Sequence, residues 1–166
     1  MLGWVKDYCP RVKFVLKCDD DVFINVPRLL KYISTLKLWK RAIWGHISKN
    51  SIPSRLKEGK RYVSHNEYNY AVYPSYVMGH AYLIPVGLVE ELCYTSLHLR
   101  YLFKLEDILL TGIVATILQI PKIHNDKFQN AVMVKPCVIE RSICVHGVSE
   151  KQQFDFWKKV RGKNKC

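Results

Sequence analysis

Three consecutive carboxylates, Asp19, Asp20 and Asp21, close the apolar-alternating stretch 12–18 (VKFVLKC). Adjacent carboxylates repel one another and cost stability unless a cation or solvent takes up their charge. Carboxylate oxygens suit hard divalent ions such as Mg²⁺ or Mn²⁺, and such an ion would bridge them to a diphosphate. The other reading of the triplet is a polar turn approaching a helix, where the helix dipole favours acidic residues. Glu106 and Asp107 form a second acidic site, directly before the helical run 108–118. A carboxylate at a site edge can take a proton from an attacking hydroxyl, while Asp107 is equally suited to capping the helix. His146 ends the apolar stretch 143–146 and precedes Gly147. A lone histidine is more often structural than a ligand, and only partner ligands beside it reverse that.

These residues need elements to hold them. Val12, Phe14, Leu16 and Cys18 fall on one face of a strand over 12–18, with the aspartates at its C-terminal end. In open α/β sheets, ligands bind in the crevice beyond the strand ends. Asn25 is a good N-cap, and Pro27 fits the first turn of a helix whose apolar stripe is Leu29, Leu30, Ile33 and Leu36. A strand over 42–47 precedes a polar, basic loop over 48–61. Residues 62–76, with five tyrosines, read as irregular structure around a site. Tyr82-Leu83-Ile84 reads as a strand, and 86–95 as a helix with Leu88, Val89, Leu92 and Cys93 inside. Val132-Met133-Val134 suggests another strand. Ser149 and Gln152 have capping-box spacing for a last helix, with Phe154 and Trp157 as its core contacts. Strands alternating with helices give an α/β class.

The composition fits one domain with a real core: 166 residues, 49% hydrophobic. The net charge of +12 attracts anions, whether nucleic acid, lipid headgroups or phosphorylated small molecules. The basic residues are scattered, apart from 55–61 and a tail from about 158 that reads as a solvated end. A nucleic-acid module ranks far below other readings, because no recognition motif appears and three adjacent aspartates repel phosphate. Six cysteines without a C-x-x-C pair argue against a zinc ribbon and are compatible with an oxidising compartment. No secretory leader is visible, and the longest nearly apolar run, 108–120, is too short to span a bilayer.

Several blocks, in order, resemble the beta-1,3-galactosyltransferase family, which includes beta-1,3 N-acetylglucosaminyl- and N-acetylgalactosaminyltransferases. The segment 14–25 (FVLKCDDDVFIN) is similar to the family's Asp-x-Asp segment. Trp44-Gly45 and 60–64 (KRYVS) resemble the next blocks. Tyr73-Pro74-Ser75-Tyr76 with Gly79 and Tyr82 resembles the Tyr-Pro-x-Tyr block. Leu105-Glu106-Asp107-Ile108 with Gly112 resembles the Glu-Asp-Val block, and 145–148 (VHGV) followed by Trp157 the C-terminal block. The resemblance implies a GT-A-like α/β fold, a mixed sheet flanked by helices, whose N-terminal nucleotide-binding strands are missing here. Residues 1–166 would be a partial catalytic domain.

By the same resemblance, Asp19, Asp21 and His146 would hold Mn²⁺ or Mg²⁺ against the diphosphate of a UDP-sugar donor. Asp20 and Gly79 would face the donor, and Glu106 and Tyr76 the acceptor glycan on a glycoprotein or glycolipid. Asp107 would be the base in an inverting transfer of galactose or an N-acetylhexosamine. The implied location is the lumenal side of the Golgi membrane, through an anchor absent from this chain, and no nucleic-acid partner is implied. In the family's glycine-rich block this chain reads Met78-Gly79-His80-Ala81, so side chains stand where the family has glycine. The alternative is an inactive remnant that binds glycan or a partner.

Overall fold

The computed structural model describes residues 1–37, 41–100, 102–130 and 136–162. The expected strand over 132–134 and the end of the basic tail lie outside them. Helix α1 (Leu2–Tyr8) leads into β1 (Phe14–Cys18), a three-residue acidic turn, β2 (Val22–Ile24) and α2 (Val26–Thr35). Strands β3 (Ile43–Ser48) and β4 (Tyr76–Pro85) are separated by the long loop, and a 3₁₀ turn then runs into α3 (Val89–Leu97). A π-helical stretch, Ile108–Val114, continues as α4 (Ala115–Ile117). The chain closes with β5 (Lys122–His124), β6 (Phe128–Gln129), α5 (Pro136–Arg141), β7 (Cys144–His146) and α6 (Glu150–Arg161).

Two mixed sheets result. The larger has the order β1-β4-β3-β5, with β3 and β5 parallel and the other pairs antiparallel. The smaller has the order β2-β7-β6, with β2 antiparallel and β6 parallel to β7. This is the α/β architecture of mixed sheets flanked by helices that the sequence led us to expect. Among the described residues, no helix is long and apolar enough to cross a membrane. Cys9, Cys18, Cys93 and Cys144 carry free thiols, and Cys137 is disulfide-bonded.

Strand periodicity divides the core. Tyr82 and Ile84 of β4 face one way, against Leu2 and Val5 of α1, Leu92 of α3 and Val114. Ala81 and Leu83 face the other way, against Val22, Leu29, Phe128 and Cys144. With both faces covered, β4 is apolar almost throughout, whereas only its segment 82–84 reads as a strand in sequence. On its far side, the small sheet presents Phe23 and Val145 to α5 and α6.

The caps form as their residues dictate. The Asn25 side chain accepts the Arg28 N–H at 3.3 Å, and Ser149 with Gln152 completes a capping box. Three apolar residues behave otherwise than the sequence suggests. Leu30 is exposed, because α2 packs only through Leu29, Tyr32 and Ile33. Phe154 and Trp157 also face outward; Phe156 and Val160, four residues apart, make the core contact instead, with Phe156 edge-on to Phe23 at 5.6 Å. Trp157 lies under the Arg161 guanidinium at 4.5 Å, so its ring is covered by a cation rather than by the core.

The π-helical stretch is tied to β4 by one buried hydroxyl. Thr111 Oγ1 accepts the Val77 N–H at 2.8 Å and lies 2.6 Å from the Asp107 carbonyl. Thr111→Val keeps the shape but orphans a buried N–H, so it should cost about 1–3 kcal/mol. Urea unfolding monitored by circular dichroism would measure this, and an unchanged midpoint would show that the tie contributes nothing.

Candidate functional site

The acidic turn is where the chain crosses from the large sheet to the small one. The Asp19 N–H bonds the His80 carbonyl of β4 at 3.0 Å, holding the turn to the large sheet. The Asp21 carbonyl accepts the Val148 N–H at 2.8 Å, holding it to the small sheet. Strand β2 then pairs with β7 so that Val22 lies opposite His146. Gly147, at φ 73°, makes the left-handed turn that lets the chain leave β7 directly after the histidine. Ligand atoms of Asp19, Asp21 and His146 thus lie within 4.8 Å of one another.

The chemistry of this trio suits a cation. His146 Nδ1 lies 3.1 Å from Asn130 Oδ1 and donates to it, and Nε2 faces Asp21 Oδ2 at 3.4 Å, where a neutral imidazole offers a lone pair. A lone pair and two carboxylates turned toward one another call for positive charge between them. Part of it comes from Lys17, whose ammonium lies 2.6 Å from Asp19 Oδ1 and also bonds the Gly79 carbonyl. Burial pushes that ammonium's pKa down, but Asp19, Glu106 and Asp107 outweigh it and hold it above its ordinary value.

Strand β4 is irregular at this point. Between the pairs Gly45–Tyr82 and Ile47–Val77, the four residues 78–81 of β4 lie opposite the single residue His46. A bulge re-aims side chains and frees backbone groups from the ladder. The freed Gly79 N–H donates to Asp107 Oδ2 at 3.0 Å, while the Ile108 N–H donates to Oδ1 at 2.9 Å. A Cβ on residue 79 would sit 3.2 Å from that carboxylate, so any side chain there would press Asp107 out of its present place by a few tenths of an ångström. Glu106 faces the other way, accepting the Tyr82 hydroxyl and lying 3.6 Å from Lys17. Burial raises its pKa, and the Tyr82 hydroxyl and Lys17 oppose the rise.

The bulge also turns His80 inward, where it is 4% exposed and neither ring nitrogen has a partner. Its ring lies between His146, at 5.3 Å, and His46, at 6.3 Å. Burial, with those two imidazoles beside it, pushes its pKa down to about 4.

Two clefts open here. One, of about 200 Å³, is lined by Lys17, Asp19, Gly79, Glu106, Asp107 and His146. The other, of about 360 Å³, is lined by Ser51, Ser54, Tyr73, Tyr76 and Asp107. Arg61, Leu105 and Asp107 belong to both, so the Asp107 carboxylate stands at their junction. Of the residues singled out by sequence, Asp19, His146, Gly79, Glu106 and Asp107 meet in the first cleft, Asp21 stands at its edge beside His146, and Tyr76 lies in the second. Asp20 is exposed on the turn, with its carbonyl bonded to Gln153 Nε2 at 3.0 Å. Sequence reasoning missed Lys17, Tyr82, His80 and Arg61. The signal for Lys17 was a lysine one position from the triplet's strand end; the others carried none outside their blocks.

A family model described as Galactosyltransferase matches residues 1–126. The chain is 30% identical over 159 residues to the human protein named lactosylceramide 1,3-N-acetyl-beta-D-glucosaminyltransferase, covering 94% of this chain and 42% of that protein. It is 28% identical over 165 residues to the Xenopus tropicalis protein of the same name, covering 98% and 43%. It is 30% identical over 167 residues to human UDP-GalNAc:beta-1,3-N-acetylgalactosaminyltransferase 1, covering 98% and 50%. The chain thus spans about half the length of these curated relatives or somewhat less.

The buried, neutral His80 makes stability depend on pH. Its folded pKa, about 4, lies below its ordinary value of 6.5, so the unfolded chain takes up a proton that the folded chain refuses. Stability from this group is intact above pH 6.5 and falls as the pH drops toward 4. Melting temperatures across that window should decline more steeply in the native chain than in His80→Met. Parallel declines would remove His80 as the cause.

Proposed function

The chain belongs to the galactosyltransferase family, and on that footing we propose that it carries the metal-binding and acceptor-activating part of an inverting beta-1,3-hexosyltransferase. The observation that carries this reading is the Asp19, Asp21 and His146 cluster beside a cleft whose far wall presents the oriented Asp107 carboxylate. The donor would be a UDP-sugar, with galactose or an N-acetylhexosamine, since one relative's name specifies UDP-GalNAc. The acceptor would be a glycan hydroxyl, on a glycolipid where the lactosylceramide enzymes are the guide. On the same reading the whole protein works on the lumenal side of the Golgi membrane.

The trio of ligands fits Mn²⁺ or Mg²⁺, and when bound that ion supplies charge against the departing diphosphate. Lys17 adds a part-buried positive charge on the same side of the cleft. Asp107 is held through both oxygens by backbone N–H groups, so its remaining lone pairs are fixed in direction toward the cleft junction. There it would accept the proton of the acceptor hydroxyl as that oxygen bonds to the anomeric carbon. The bond from that carbon to the diphosphate oxygen breaks, and its electron pair leaves with UDP. Base and leaving group on opposite sides of the sugar invert the anomeric centre, through an oxocarbenium-like transition state. Glu106 is engaged by Tyr82 and Lys17, so its part is to fix Lys17 rather than to take the proton.

Calorimetric titration with UDP, with and without Mn²⁺, tests the reading. Binding should require the metal and be lost in Asp21→Ala. Asp107→Asn should keep the UDP affinity while lowering sugar transfer by about 10²–10⁴-fold. A folded chain that ignores UDP in the presence of Mn²⁺ would sink the proposal.

A further inference from the structure

The second cleft holds more hydrogen-bond donors than its own structure uses. Arg55, at one side of the loop, is fully engaged: its guanidinium donates to the carbonyls of Val63 at 2.7 Å and Tyr68 at 2.9 Å. Arg61 is not. It is exposed at the junction of the two clefts, and among the described residues it makes no hydrogen bond and no ion pair, not even with Asp107. An independent observation lies a few residues away in the same cleft. Tyr73 is only 6% exposed, and its hydroxyl has no hydrogen-bond partner. Its ring packs on Tyr68 at 5.0 Å and Phe103 at 5.9 Å, its N–H donates to the Ser51 carbonyl at 2.9 Å, and the residue lines the cleft. Burial raises its pKa, so it remains a donor at neutral pH.

A buried, orphaned hydroxyl destabilises the fold, and an incoming ligand oxygen is one partner that removes that cost. Here the orphan and an unpaired guanidinium share one concave wall with Tyr76, Ser51 and Ser54. Both are donors, and one is a planar fork matched to carboxylate and sulfate oxygens. A neutral sugar entering the cleft would desolvate Arg61 without offering it a counter-charge, whereas an anionic sugar would compensate it. The chain's net charge of +12 would further draw an acidic ligand in.

We propose that this cleft selects an acidic acceptor glycan, one bearing a sulfate or carboxylate, with Arg61 taking the anionic group and Tyr73 donating to a sugar oxygen. This rests on the reading of Asp107 as the base that the accepting hydroxyl approaches. Arg61 then determines specificity, and the anionic group sits on the accepting sugar or on its immediate neighbour, since the guanidinium and the Asp107 carboxylate line the same two clefts.

Titration calorimetry of the full chain with three probes tests the idea: lactose, lactose 6′-sulfate and lactobionate. The sulfate places the charge on the galactose, and lactobionate places a carboxylate on the neighbouring unit. At least one anionic probe should bind about tenfold tighter than lactose at low salt, the size of one charge-assisted contact. Which of them gains the advantage identifies where the charge sits. Arg61→Gln should erase the advantage, and Tyr73→Phe, which preserves the ring packing, should weaken all three probes severalfold. Equal affinities, an advantage that survives Arg61→Gln, or no lactoside binding by a folded chain would each overturn the proposal. The UDP titration is independent of these arms. If it fails while the anionic preference stands, the donor reading falls and the acidic-glycan cleft does not.

Discussion

Carboxylate repulsion at the crossing between the two sheets organises this molecule. Three aspartates occupy the only residues between β1 and β2, and their charge must be met where the chain changes sheets. Lys17 meets part of it from the strand just left, and His146 stands ready from β7, the strand that pairs with the one just entered. The pairing of β2 with β7 is therefore more than a packing convenience. It brings a residue from the far end of the chain against the start of the site, and it does so through three-residue strands that would not persist alone. The small sheet is stabilised by being packed between the large sheet and α6.

Two irregular segments face each other across the cleft. Residues 78–81 of β4 break step with β3, and residues 108–114 coil more widely than an α-helix. The strand leaves backbone groups that side chains of the helical segment satisfy: Gly79 N–H with Asp107, and Val77 N–H with Thr111. Departures from regular geometry at a site persist only when neighbours over-determine them, and here two side chains one helical turn apart do so for the strand. The same bonds fix the direction of the Asp107 carboxylate, which loop residues alone would hold less firmly.

Much of this was legible in the sequence, for local reasons. The Asn25 and Ser149 caps, the buried face of α3, and the strand ahead of the aspartates follow from residue type and spacing. The acidic triplet, Asp107 and His146 stood out because charge at the end of an apolar run needs an explanation. The rest depended on distant partners. Strands β2 and β7 are too short to show alternation, and their pairing joins residues over a hundred positions apart. Phe154 and Trp157 had the right chemistry for the core, but the rotation of α6 about its axis gave that place to Phe156 and Val160. Val12 lies before the strand it appeared to begin, where it is partly exposed. Lys17 drew no reading from sequence, because the Gly79 carbonyl that holds it comes from a bulge sixty-two positions away. His80 could be read as a departure from a glycine pattern, yet not as a ring enclosed between two other histidines.

The π-helical stretch carries a consequence for how this segment tolerates length change. A π turn is, in effect, an α-helix that has absorbed one surplus residue. Excising a single residue from Ile108–Val114 would let the remaining backbone settle into its preferred α geometry, so the lesion would be mild for the helix itself. The penalty would fall elsewhere, because the excision rotates everything on one side of it by about 100° (one residue's share of an α turn) relative to the other. Asp107 and Thr111 could then no longer both address β4. The segment would thus survive a frame-preserving deletion as structure and lose it as an aiming device, which separates what this helix needs to fold from what it needs to point.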